Sequence, residues 1–226
     1  MELAIDTSTR FASVGVADKG EVVAEMTWRS GRNHSVELVP GIRHVIGLAG
    51  TDVDRLDAVY VAAGPGGFSA LRVGMSTAKG MAAALDVPLV AVPTLDVEAE
   101  PYLYLGKDVH AVIGAGRTRR YLGTYVQGQE PEYSVVEDEE LASKVSTDSL
   151  FCGEGLPQVA DLLRSKFGAG VILAGATLPT RRSGTLAMLA YRRLQDGRTD
   201  DPRSLQPLYL RSTQVETAER AWSGKQ

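Results

Sequence analysis

The sequence is poor in the residues that carry most metal and redox chemistry, with one cysteine and three histidines in 226 residues. A single thiol, Cys152, excludes an intrachain disulfide framework and any zinc site built from several cysteines. Long apolar runs are lacking as well. The longest span six residues, Ala58–Ala63 and Leu186–Tyr191, against roughly 20 for a helix that crosses a bilayer. Neither a basic n-region nor a long apolar stretch follows Met1, so no secretory signal or membrane association is expected, and a cytoplasmic location is. A basic excess is also missing: 24 Lys+Arg stand against 28 Asp+Glu, a formal charge of −4. Autonomous nucleic-acid binders usually carry a basic face, because neutralising phosphates supplies most of their affinity. RNA contact is therefore expected only locally or together with a partner. What is present is an ordinary globular balance, 44% apolar and 23% charged, long enough for one large domain or two small ones.

Hairpin and helix signals alternate along the chain. Glu2–Asp6, Ala12–Ala17 and Glu21–Thr27 read as a three-stranded meander, the last two strands joined at Asp18-Lys19-Gly20. Leu38, Ile42, Val45 and Ala49 mark a helix with Asn33 or Ser35 as N-cap, Pro40 as a kink and Gly50 as the stop. Thr51–Asp54 reads as a capping box opening a single turn. Asp57–Ala63 is a continuous apolar strand, followed by Gly64-Pro65-Gly66-Gly67, a helix with Leu71, Met75, Ala78, Ala82 and Leu85 on one stripe, and a strand at Leu89–Val92. This is a βαβ unit with a parallel strand pair. The second half repeats the order. It has strands at His110–Ala115, Tyr121–Gln127 and Glu132–Val136, a polar helix at Asp138–Lys144, and strands at Leu150–Cys152 and Val171–Ala174. Helices are expected around Val159–Phe167 and Thr185–Leu194, and a frayed tail after Trp222. Two similarly folded lobes are expected, parting near Glu98–Lys107.

Three features could carry chemistry. Asp6-Thr7-Ser8-Thr9 places a carboxylate and three hydroxyls at a strand end. Such a tip can hold a hydrated cation and a phosphate, or be a turn whose side chains bond their own backbone. The Gly64, Gly66 and Gly67 loop opens a helix, where backbone amides attract anions; it is neither a P-loop nor a dinucleotide fingerprint, and a plain tight connection is the alternative. Arg117, Arg119 and Arg120, with Arg181 and Arg182, could meet phosphate, although solvated positions are the expectation for each. His34 and His44 fall about 80° out of phase on one helix and cannot share a metal. Structural or solvent roles are expected for both and for His110, and a core position for Cys152. Gly-x-Ser-x-Gly is absent, so no serine triad is assembled.

Leu3–Thr9, His34-Ser35, the block Ala63-Gly64-Pro65-Gly66-Gly67-Phe68-Ser69-Ala70-Leu71-Arg72-Val73-Gly74 and Ala78-Lys79-Gly80 together resemble the TsaB (YeaZ) family in order and spacing. Ile113–Arg117 and Pro207–Arg211 continue the match. The resemblance implies an α/β, two-lobed fold of the actin, Hsp70 and sugar-kinase type, each lobe ribonuclease H-like with a mixed sheet flanked by helices. The lobes would be residues 1–98 and 99–226, with a C-terminal helix packing back on the first. It also implies a non-catalytic subunit in the synthesis of threonylcarbamoyladenosine next to the tRNA anticodon. Its partners would be the catalytic subunit TsaD and the ATPase TsaE, with TsaC supplying the activated carbamoyl group. The catalytic relative carries two metal-binding histidines where this chain has Thr94 and Glu98. Thr94 cannot replace an imidazole as a transition-metal ligand. Val36 stands where the family commonly has a glutamate, which argues against a working His34 site.

The expectation is therefore a subunit without catalytic residues or a metal. Asp6, Thr7, Ser8, Gly64, Gly66 and Gly67 would form a degenerate phosphate or nucleotide site, and no cofactor would be tightly bound. ATP or ADP would be held only at the interface with the catalytic partner, and tRNA only within the complex. Val39, Ile46, Val73 and Met81 lie off the main helix stripes and are the expected partner surface, which also serves a homodimer of the isolated chain. Two alternatives remain at this stage: an ATP-dependent small-molecule kinase of the same superfold, and a metallopeptidase-like glycoprotease.

Overall fold

A computed structural model describes the chain apart from residues 32, 142, 144, 146, 176–180, 211–215 and 218–226. The tail after Trp222 and the matched Arg211 lie outside the described residues, as do two positions of the expected helix Asp138–Lys144. In chain order the elements are β1 (Glu2–Asp6), β2 (Phe11–Asp18), β3 (Glu21–Arg29), α1 (His34–Leu48), β4 (Ala58–Gly64), α2 (Phe68–Leu85), β5 (Leu89–Pro93) and α3 (Thr94–Ala99). Then follow β6 (Val109–Gly114), β7 (Arg119–Tyr125), β8 (Glu132–Glu137), α4 (Asp138–Leu141), β9 (Ser149–Cys152), α5 (Leu156–Phe167), β10 (Val171–Leu173), α6 (Ser183–Gln195) and β11 (Glu216–Thr217). No described helix is long and apolar enough to cross a membrane.

Two compact units result. The first comprises Met1–Val97 with Arg181–Pro207, the second Glu98–Thr180 with Leu208–Gln226. The first unit's sheet has the order β3-β2-β1-β4-β5, and the second's β10-β9-β6-β7-β8-β11. Read from β8 to β10, the second sheet reproduces the first: an antiparallel meander whose first strand pairs in parallel with the next βαβ strand. This duplicated mixed sheet flanked by helices is the architecture expected.

In the first unit, Lys19 and Gly20 both adopt positive φ, the geometry of a two-residue hairpin matched to strand twist. The buried Glu2 carboxylate accepts their amides at 3.0 and 3.2 Å. Period-two alternation sends Ala4, Ala58, Tyr60, Ala62, Val90 and Val92 to one face, where they pack with Leu186, Ala187 and Ala190 of α6. The alternate residues Leu3, Ile5, Val59 and Val61 are equally buried and face the side on which α1 and α2 lie. α1 buries His34, Leu38, Gly41, Ile42, Val45 and Ile46. Its Gly41 lets Trp28 approach closely, and the Trp28 indole donates to Glu37 Oε2 at 2.9 Å.

Ile46 requires a correction: at 6% exposure it belongs to the core, not to an outer surface. The buried stripe of α1 spans neighbouring positions 41–42 and 45–46, wider than a single row at steps of three and four. Asn33 stands at the N-cap of α1 without a side-chain cap bond. Thr51–Asp54 gives only one 3₁₀ turn, whose N-cap Asp52 likewise makes no side-chain cap bond.

In the second unit, Val112, Leu122, Val136, Phe151, Leu156, Val159 and Leu163 form the core between sheet and α5. Gly153, at φ +105, and Gly155 pack on the Val112 carbonyl, which accepts the Gly155 amide at 2.8 Å. A side chain at either position would collide with that strand. Ahead of α5 the chain thus repeats the strand, glycine loop and helix seen at β4 and α2.

Candidate functional site

The end of β1 meets the loop between β4 and α2. Gly66 lies so close to the Ser8 carbonyl that a Cβ there would overlap it. The same carbonyl accepts the Gly67 amide at 2.7 Å. Thr7 Oγ1 donates to the Ala70 carbonyl at 2.7 Å and accepts from the Gly74 amide at 3.1 Å, two groups an α-helix ordinarily pairs with each other. Gly74 leaves room for that hydroxyl. Gly66 is thus explained by direct packing on the Asp6–Ser8 tip, whereas Gly67 meets the tip through its amide alone.

Asp6 is 1% exposed and fully engaged. Its Oδ1 accepts the Ser8 amide at 2.8 Å and the Ser8 hydroxyl at 2.5 Å, closing a turn of the Asx type. Its Oδ2 accepts Arg181 Nε at 2.6 Å. Arg181 itself is 4% exposed and also donates to Thr9 Oγ1 at 2.7 Å. His34 Nε2 lies 2.8 Å from the Thr9 carbonyl, which ties the start of α1 to the same tip. The tip therefore joins β1 to the starts of α1 and α2 and to the segment entering α6, all within the first unit.

Sequence reasoning missed Arg181, which it expected to be solvated. The signal was out of reach, because the two members of the pair are 175 residues apart. Arg120 is likewise buried and paired with Asp138 at 2.9 Å, whereas Arg117 and Arg119 are exposed. Arg182 pairs with Glu25, which also accepts the Gly184 amide at the start of α6.

A hydrated divalent cation does not fit this tip as it stands. Such ions collect about six oxygen ligands, and both Asp6 oxygens are already committed to hydrogen bonds or to a guanidinium. The corresponding tip of the second sheet, Gly114–Arg117, has no carboxylate at all. Thr94 is buried, and its Oγ1 accepts the Gly64 amide at 3.1 Å. Glu98 is buried, with Oε1 accepting the Glu154 amide at 3.2 Å. Among the described residues, no three His, Cys, Asp or Glu side chains are gathered to hold a metal. His44 is exposed on α1. Burial pushes the Cys152 thiol well above its usual range and keeps it protonated.

The outer side of α1 and α2 is a different kind of surface. Val36, Val39 and Phe68 are 72%, 52% and 56% exposed. Val73 and Met81 are half-buried, and the exposed positions of α2 include Ser76, Gly80, Ala83 and Ala84. Arg72 stacks its guanidinium over the Phe68 ring, 4.5 Å from its centre.

Comparison with known proteins agrees with this fold. The family model described as "TsaD: tRNA N6-adenosine threonylcarbamoyltransferase" matches residues 21–139, just over half of the chain. The tRNA threonylcarbamoyladenosine biosynthesis protein TsaB of Bacillus subtilis is 26% identical over 222 residues, covering 95% of each chain. The structure of YeaZ from Pseudomonas aeruginosa superposes with a TM-score of 0.76 at 26% identity, over 92% of this chain and 99% of that one. Component A of the Acidaminococcus fermentans (R)-2-hydroxyglutaryl-CoA dehydratase shares the fold, with a TM-score of 0.54 at 11% identity, over 86% of this chain and 98% of that one. With a family model spanning more than half its length and TsaB and YeaZ relatives matching almost all of it, the chain belongs to the TsaD-type family and, within it, to the TsaB (YeaZ) group.

Proposed function

We propose that this chain acts in the formation of threonylcarbamoyladenosine in tRNA as a subunit without catalytic residues of its own, working through a TsaD-like catalytic partner. The observation that carries the reading is Thr94. Where the resemblance places a metal-binding histidine of the catalytic relative, this chain has a buried hydroxyl already bonded to the Gly64 amide. A neutral hydroxyl is a poor transition-metal ligand, and Asp6, the other group suited to a cation, is held by Arg181.

The outer face of α1 and α2 supports a role in assembly. Val36 and Val39 offer apolar area, and the small residues Ser76, Gly80 and Ala84 allow a partner helix to approach closely. In this reading ATP or ADP is held only where the catalytic partner completes a site, a TsaE-like ATPase joins that complex, and tRNA is met only within it. The isolated chain pairs with itself through the same face. The reading is tested by co-purification with the catalytic subunit. Val39→Arg and Gly80→Arg should abolish the complex while the chain keeps its circular dichroism and still melts cooperatively. Undiminished co-purification of both variants would contradict the interface.

A further inference from the structure

The Asp6–Thr9 tip has the groups a cation site needs and a side chain in the cation's place. Two of those groups, the Asp6 carboxylate and the Thr9 hydroxyl, are bound by one guanidinium, at 2.6 and 2.7 Å. Both partners of the ion pair are almost completely buried. A buried carboxylate without a counter-charge is strongly disfavoured, so the folded chain has either to protonate Asp6 or to place a positive group beside it, and it places Arg181 there. Arg181 reaches the tip from a segment distant in sequence, immediately before α6, whose own start is fastened by Glu25 and Ser13.

We infer that Arg181 is a built-in counter-ion standing where a divalent cation would have to bind Asp6, so that the hub joining α1, α2 and α6 assembles without metal or nucleotide. The fixed guanidinium satisfies the carboxylate at every cation concentration. It also supplies planar, directed donors that an exchangeable hydrated ion lacks. The tip thereby serves as a structural joint. Removing the guanidinium should make Asp6, Ser8 and Thr9 available to a small, oxygen-seeking ion.

The test compares the full chain, Arg181→Ser and the double variant Asp6→Asn/Arg181→Ser, each melted in chelator and in about 10 mM Mn²⁺ or Mg²⁺. The unsubstituted chain should melt at the same temperature in all conditions. Arg181→Ser should melt lower in chelator and rise by roughly 5 °C with metal, and the double variant should not respond. Because Arg181→Ser leaves a buried charge and can fail to fold, a second measurement uses the unsubstituted chain alone. Mn²⁺ should leave the Ser8 amide NMR signal unbroadened. Broadening of Ser8 there, or a folded Arg181→Ser variant indifferent to metal, would overturn the inference.

Discussion

Three buried polar groups decide much of what this chain tolerates. Breaking the Asp6–Arg181 pair by Arg181→Met strands a carboxylate that is 1% exposed, and a loss of about 3–5 kcal/mol is expected. Asp6→Asn/Arg181→Met, which removes both charges, should recover most of that loss, as urea unfolding of the three proteins would show. His110 packs on Phe151 with ring centres 4.9 Å apart. Burial pushes its pKa down to about 4, with nearby Asp108 opposing the shift. The unfolded chain therefore takes up a proton at this residue at higher pH than the folded one. Stability present above about pH 6.5 should fall by about 3 kcal/mol as the pH drops to about 4, and His110→Leu should lack that component. Tyr60 lies in the first unit's core with its hydroxyl unpaired among the described residues, and burial raises its pKa further from neutrality. Tyr60→Phe removes an unsatisfied polar atom and should leave the melting temperature unchanged or raise it, by up to about 1 kcal/mol of stability.

At the scale of elements, the strand, glycine loop and helix of the first unit were legible because their signals are local. The apolar run of β4 and the steps of four and three in α2 each lie within one short window, and Leu71, Met75, Ala78 and Ala82 are all buried as expected. The wider contact face of α1 was not legible. Whether Ile46 packs inward depends on sheet strands distant in sequence, not on the helix's own spacing. The Arg181 contact was hidden for the same reason, since no local pattern links residue 181 to residue 6. Glycines separate these cases experimentally. Gly66 abuts the Ser8 backbone, so Gly66→Ala should cost about 1–3 kcal/mol or more. Gly80 faces open space inside α2, so Gly80→Ala should stabilise the isolated chain by about 0.5–1 kcal/mol in denaturant titration.

For the whole molecule, the repeated sheet order shows one folding unit used twice, and the duplication was readable from element order alone. The chemistry has not been duplicated with it. One tip keeps its carboxylate but pairs it with an arginine, and the other has none. A net charge of −4 fits a subunit that leaves most phosphate contact to others. The central claim is that this chain is required for tRNA modification yet performs none alone. It is tested most directly by reconstituting threonylcarbamoyladenosine formation from purified components, with this chain and the TsaD-like subunit omitted in turn. Modified tRNA should form only when both are present. Modification by this chain without the catalytic subunit, or full activity of the catalytic subunit without this chain, would contradict the account.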